Sequence, residues 1–461
     1  MTFNSLEFFL FMPVVYLAYY FSPDRFRWML LLAASFIFYA ALKVPYLLGV
    51  LLLVATATYA FGLWLDRAPT PQAKYRLLWA GVVTNILILG VLKYIPFHAF
   101  VAIGVSFYVF QAISYLIDVH DEIEKPEPHF GYFLLYLAFF PKLLQGPIER
   151  AGHLIPQLKV LRPGDLQAFR SGMWMIVGGL FKKVVIAERL ALLVDPVYSN
   201  VQDYAGISLL LATYVYAFQI YYDFSGYTDI ALGTARLFGV DLTENFHSPY
   251  SATSVADFWR RWHISFSRWI LDYIFKPLQM RWRDWQSWGT ASALVVTFLA
   301  CGLWHGSSWG FLIWGGLHGI YMASSVFYNP YQKRLDGVLG LKGSPYLRLW
   351  RILVTFNLVC LAWIFFRASN LKDAVFVATH LFGGIGDMSR LIDLWGFREP
   401  FVALISMGLL ALLSFLSKRQ HLAEAFFDRP FWARCLVYYG VIMYLLVLGS
   451  FSSRAFVYVR F

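Results

Sequence analysis

The stretch Val295–Met322 reads VVTFLACGLWHGSSWGFLIWGGLHGIYM, an apolar run studded with glycines that carries two histidines, His305 and His318. A membrane-spanning helix needs about 20 mostly apolar residues. An ionisable ring in hydrocarbon is costly unless it faces a partner or a water-filled cavity. The run therefore sets two expectations: helices that enter the bilayer, and a polar site enclosed by them. Gly302, Gly306 and Gly310 recur every fourth residue, as do Gly315 and Gly319, a spacing that lets helix backbones approach closely. The glycines serve packing or open room beside His305, and the two readings are compatible.

Composition extends this outward. The 461 residues are 59% hydrophobic and 14% charged, with a mean hydropathy of +0.58, against roughly 25% charged in a soluble domain. Apolar segments fall near 5–22, 28–43, 45–65, 77–98, 172–190, 206–222, 350–366, 372–384, 400–417 and 434–451. The expected fold is an all-α polytopic integral membrane protein. Residues 1–461 form one membrane domain: N-terminal helices in 1–98, a central region in 99–330 and C-terminal helices in 331–461. The N-terminal MTFNSLEFFLFMPVVYLAYYFS has no basic leader region and no clear cleavage site, and is expected to be a retained first helix. The terminal Phe456–Phe461 is aromatic and expected to pack.

The net charge is +11, with the basic residues clustered in short loops. Arg67, Lys74 and Arg76 enrich one loop over its neighbour, which holds only Lys43; the richer loop is placed inside the cytoplasm and the N-terminus outside. The counterions of such loops are anionic lipid headgroups, which makes the bilayer the partner and excludes nucleic acid. Cys301, Cys360 and Cys435 show no ligand spacing and read as small buried hydrophobes.

Three central segments break the apolar pattern. Pro141–Arg150 (PKLLQGPIER) frees backbone groups that membrane depth tolerates only inside protein or beside water, so it is expected to be a re-entrant or interfacial turn lining a cavity. Tyr222–Asp229 carries Asp223, Ser225 and Asp229 after an apolar helix, either as a polar surface loop or as a patch facing an internal pocket. Ser254–Phe275 (SVADFWRRWHISFSRWILDYIF) has Phe258, Trp262, Phe266, Trp269 and Tyr273 at helical spacing. It predicts one amphipathic interfacial helix, begun by Ser254 and Asp257 in a capping box. Arg260, Arg261 and Arg268 lie on its other faces, suited to headgroups or an anionic ligand, and the helix contains a third histidine, His263.

What could these residues do? His305 and His318 are too far apart, and without Cys or an HExxH pattern, to suggest a metal site. Ser225 lies in no GxSxG elbow. General-base chemistry remains. An imidazole ordinarily titrates near ~6.5, and a neutral His305 can take the proton of a hydroxyl as it attacks an activated acyl group. His263 would orient it or stabilise developing charge, and aromatic walls would exclude the water that hydrolyses an acyl donor. His318 fits packing more readily.

FWRRWH at 258–263, followed by GLWHG at 302–306, resembles the membrane-bound O-acyltransferase (MBOAT) family. GVSFYVFQAISYLIDV, PKLLQGPIER, QIYYDFSGYTDIALG, ENFHSPY, WIFFRASN and FVYVRF resemble its bacterial alginate O-acetylation branch. The resemblance covers nearly the whole chain. It implies a helical ring around a central funnel or tunnel, with re-entrant and interfacial helices, in the bacterial inner membrane. It also implies His305 as the catalytic histidine and His263 as the second characteristic polar position. Trp259, Arg260, Arg261, Trp304, His318, Asp223, Ser225 and Asp229 are then the candidates to bind donor or line the cavity. The implied donor is a cytoplasmic acyl thioester, acetyl-CoA, and no metal is implied. The implied acceptor is an extracytoplasmic polysaccharide, often reached through a separate SGNH-type surface partner. One stretch departs: many relatives carry Gly-Gly-Asn-Arg where this chain has Lys276–Asp284 (KPLQMRWRD). There Lys276, Arg281 and Arg283 are candidates to meet cofactor phosphates.

Two other readings stand beside this one: a polysaccharide transporter or flippase without bond chemistry, and acyl transfer to a lipid or small hydroxylated acceptor. A transporter should show inverted repeats, and none is visible in the sequence.

Overall fold

The computed structural model describes residues 1–94, 104–341, 343–383, 388–420, 426 and 428–450; the terminal Phe456–Phe461 lies outside them. The named elements are all helices. Among the described residues the only pairing of extended backbone is an isolated bridge between Phe246 and Trp262. Hydrocarbon offers no partner to a backbone amide, so a chain this apolar must satisfy its backbone within each segment.

Among the described residues, five helices are long and apolar enough to cross a membrane: Tyr46–Asp66, Pro71–Tyr94, Arg283–His305, Pro345–Arg367 and Phe431–Leu448. The pair Ser389–Trp395 and Arg398–Leu413, bent by 73°, would make a sixth if it is one span. These fall on the apolar segments read from the sequence, and Leu6–Phe21 is a shorter apolar helix on the first of them. Cys301 and Cys360 are buried as expected. Cys435 is exposed, on a spanning helix whose apolar residues face outward, so burial was the wrong expectation there.

The chain divides into two compact units. The first is built from Met1–Ile176 and Tyr227–Val359, the second from Val177–Gly226 and the chain from Cys360 onward. In the first unit the histidine-bearing run forms a hairpin of two helices, Gln286–His305 and Trp309–Val338. The glycine spacing is explained by contact. A Cβ on Gly302 would stand 2.4 Å from the Phe311 carbonyl oxygen, and one on Gly315 would stand 2.2 Å from that of Phe298. Only glycine allows backbones this close.

A further sequence expectation is corrected. Ser254–Phe275 is not one helix. Val255–Trp259 ends early, His263 turns into the left-handed region at φ 44°, and Ile264–Ile270 begins a new helix, followed by a π-helical turn at Leu271–Phe275. Trp262 pairs with Phe246 across the bridge, which takes its backbone out of the helix. The Ser254 cap is as read: its hydroxyl accepts from the Asp257 amide at 3.1 Å.

Of the two readings of Tyr222–Asp229, the surface loop is ruled out, for the segment lies within the helix Ile207–Leu237. In the second unit Lys183 Nζ stands 2.6 Å from both Asp223 Oδ1 and Glu188 Oε1, and all three residues are buried. A buried carboxylate needs such a partner, and with it the helix has no reason to stop. Lys183 sits in a π-helical turn, Phe181–Ala187.

Candidate active site

His305 is the last residue of its helix and is only 3% exposed. Rings wall it in: Trp304 at 4.5 Å between centroids, Trp314 edge-on at 4.8 Å, Phe311 at 6.2 Å and Phe266 at 6.4 Å. Trp314 also touches His318 at 5.1 Å, and Phe266 touches His263 at 5.1 Å. Two aromatic side chains thus link three histidines that lie far apart in sequence. His263, His318 and Lys93 all lie within electrostatic range of His305.

The last carbonyls of a helix have no partner within it. Here they are met by the end of another spanning helix, Pro71–Tyr94. Lys93 Nζ donates to the Trp304 carbonyl and Tyr94 Oη to that of Leu303. A cation at a helix C-terminus also complements its dipole. Nothing in the run around His305 announces Lys93, which stands 211 residues earlier.

His263 is held in its unusual conformation by a loop. A left-handed non-glycine residue costs of order 1–3 kcal/mol and persists only where its surroundings impose it. Asn245 Oδ1 accepts from the Ser265 amide at 3.1 Å and the Ser265 hydroxyl at 2.7 Å, and lies 3.4 Å from His263 Nδ1. An amide oxygen only accepts, so this contact is a hydrogen bond in the tautomer that carries the ring proton on Nδ1. The Ile148 amide in turn donates to Ser265 Oγ at 3.0 Å, and Glu149 takes the Thr243 amide at 2.5 Å. PKLLQGPIER, ENFHSPY and FWRRWH therefore converge on one turn. ENFHSPY was the available signal for Asn245, but its use as a splint for His263 needed the fold.

The other candidates divide. Trp259 Nε1 donates to His318 Nδ1 at 3.2 Å. This occupies the ring's acceptor and leaves a buried Nε2 with no partner among the described residues. Trp259 and His318 thus form a wall fixed by their own hydrogen bond. Arg261 pairs with Asp257 at 2.9 Å and reaches the Ser251 hydroxyl at 3.3 Å, so it braces the turn, while Arg260 and Arg268 are exposed. Asp229 is half-buried in the first unit. Asp223 and Ser225 belong to the second unit, where Asp223 is engaged by Lys183.

A cavity of about 1260 Å³ reaches this cluster, bounded by Phe110, Phe266, Trp269 and Trp304 and, on a more polar side, by Arg150, His153, Asp272 and Lys276. Arg150 lies over the Tyr273 ring at 4.2 Å and 3.5 Å from Asp272. His153 Nδ1 is 2.7 Å from Glu149, a hydrogen bond that raises its pKa. The end of PKLLQGPIER thus lines a cavity, as its breakers suggested. Among the described residues no group of three His, Cys, Asp or Glu side chains converges as on a metal ion.

The site is thus a buried histidine at the end of a helix long enough to span a membrane, walled by aromatic rings away from bulk water. Residues 121–334 match the MBOAT, membrane-bound O-acyltransferase family, and both FWRRWH and GLWHG lie inside that match. The chain is 35% identical to a probable alginate O-acetylase of Azotobacter vinelandii, over 83% of this chain and 79% of that protein. It is 33% identical to a peptidoglycan O-acetyltransferase of Helicobacter pylori, over 83% and 80%. To a teichoic acid D-alanyltransferase of Streptococcus thermophilus it is 28% identical, over 57% and 68%. The chain belongs to the membrane-bound O-acyltransferase family and is an O-acyltransferase.

Proposed function

We propose that the chain carries an acetyl group from a cytoplasmic thioester, acetyl-CoA, to hydroxyls of an extracytoplasmic polysaccharide, with His305 as the general base. In this reading the chain resides in a bacterial inner membrane and hands the acetyl group on with the help of an SGNH-type surface partner. His305 takes the proton of the acceptor hydroxyl while that oxygen bonds to the acyl carbon. The carbon–sulfur bond breaks, and the departing thiolate recovers the proton from His305. The products are an ester and a free thiol.

The observation that carries the reading is His305 itself: a buried imidazole at the end of a spanning helix, next to Trp304, which lines the cavity. The side on which the donor enters is supported by charge. Lys74, in the first turn of the helix Pro71–Tyr94 just after the loop that holds Arg67, pairs with Glu122 at 2.7 Å, next to the cavity-lining Asp121 and Glu124. The positive-inside bias puts that loop in the cytoplasm. The polysaccharide acceptor is supported by the relatives, which are named for alginate, peptidoglycan and teichoic acid.

The test is base-labile acetate on purified surface polysaccharide from a deletion strain. The strain is complemented with the wild-type chain or with His305→Ala at equal membrane abundance. Restoration by the wild type alone is the expected result. Full restoration by His305→Ala would remove the general-base assignment.

A further inference from the structure

His305 is not among the residues that line the cavity. What separates them is a layer of rings. Phe266 and Trp304 stack at 4.5 Å with planes 26° apart, and both border the cavity on one side and His305 on the other. Phe110 extends the layer, stacked on Trp269 at 4.3 Å and tilted on Trp304 at 5.4 Å.

The rings are not equally tied. Trp269 is pinned, its Nε1 donating to the Phe110 carbonyl at 2.9 Å. Trp304 Nε1 is buried and has no hydrogen-bond partner among the described residues, and Phe266 has no polar atom to tie. Neither of these two rings has a side-chain hydrogen bond among the described residues: Phe266 is held by stacking, and Trp304 by stacking and by Lys93 Nζ over its ring at 5.5 Å. Stacking can be exchanged for contact with another apolar group, but a water molecule offers no such exchange.

We propose that Phe266 and Trp304 form a displaceable partition that decides between acyl transfer and hydrolysis: the donor's acyl group takes a ring's place in contact with His305, while water stays on the cavity side. This rests on the acyl-thioester reading given above. Without the partition, water would reach His305 and the acyl carbon together. Its oxygen would bond to that carbon, the carbon–sulfur bond would break, and its proton would pass through His305 to the thiolate, giving acetate and thiol. Phe266 and Trp304 are thus specificity-determining residues rather than participants in the proton transfer.

The experiment uses the full chain in lipid nanodiscs with radiolabelled acetyl-CoA and no acceptor, following donor binding and thiol release separately. The wild type should bind acetyl-CoA and release little thiol. Phe266→Ala should bind it and release thiol faster, on the order of tenfold, with the increase abolished when His305→Ala is added. Phe266→Leu, which keeps apolar volume but not the stack, should lie between and carries the test if the alanine variant does not fold. Absence of acetyl-CoA binding by the wild type would overturn the donor reading, and the partition with it. Retained binding with thiol release unchanged or lower in both variants would overturn the partition alone.

Discussion

Gly315→Ala offers a sharp test of how the histidine hairpin is built. The new methyl would stand 2.2 Å from the Phe298 carbonyl oxygen, 1.2 Å inside the 3.4 Å at which ordinary contact begins, and 3.1 Å from the Gly302 amide nitrogen. Both obstacles are backbone, so no side chain can swing aside and the two helices must part by about an ångström. Overpacking of this kind costs about 1–3 kcal/mol. The displaced helix carries Trp314 one residue earlier, and Trp314 is 4.8 Å from His305 and 5.1 Å from His318. A misplacement of ~1 Å at a catalytic group costs on the order of a hundredfold in rate. The next residue supplies the control, because a Cβ on Gly316 would meet only Leu299 Cδ2, at 3.7 Å. Gly316→Ala should leave activity unchanged and stabilise by up to about 1 kcal/mol through helix propensity. The assay is thermal unfolding of the detergent-purified variants beside polysaccharide acetate in complemented cells. If Gly315→Ala matches Gly316→Ala in both, the close approach does not hold the site.

Two further substitutions probe residues that the sequence did not single out. Asn245→Ala removes the acceptor of the Ser265 amide and hydroxyl; each buried donor left unsatisfied costs about 1–3 kcal/mol, so a lowered melting temperature and reduced acetate are expected. Asn245→Asp, which keeps an acceptor oxygen, should retain more of both, and equal damage would argue against the splint. Lys93→Met strips the Trp304 carbonyl of its donor, at about 0.5–1.5 kcal/mol. It should lower kcat with little change in donor KM and be partly rescued by Lys93→Arg. A change confined to KM would place Lys93 in donor binding instead.

Much of this protein is written locally. Hydrocarbon forces backbone satisfaction within each helix, so apolar segments marked where the candidate spans lie, though more segments read as apolar than make such spans among the described residues, and glycine spacing marked close packing at Gly302 and Gly315. The buried histidine drew notice for the same reason: its cost is a property of the residue and its immediate neighbours. Periodicity failed at His263 because it counts side chains and not backbone angles. The apolar rings keep helical spacing straight through a break at φ 44°, which is imposed by an asparagine 18 residues away. The sequence leaves Asp223 open between a surface loop and a pocket-facing patch because its lysine lies 40 residues upstream.

The sequence by itself determined the membrane class and singled out His305 among its glycines; that this run folds as two helices with His305 ending the first was decided by the tertiary structure. Only the tertiary structure decided that Trp314 and Phe266 join three histidines, that Lys93 closes the end of the His305 helix from 211 residues away, and that two rings stand between the cavity and His305. The physical reason is range. Hydropathy and glycine spacing act along one helix, while hydrogen-bond partners and ring stacks are chosen across helices, where sequence separation carries no information about distance.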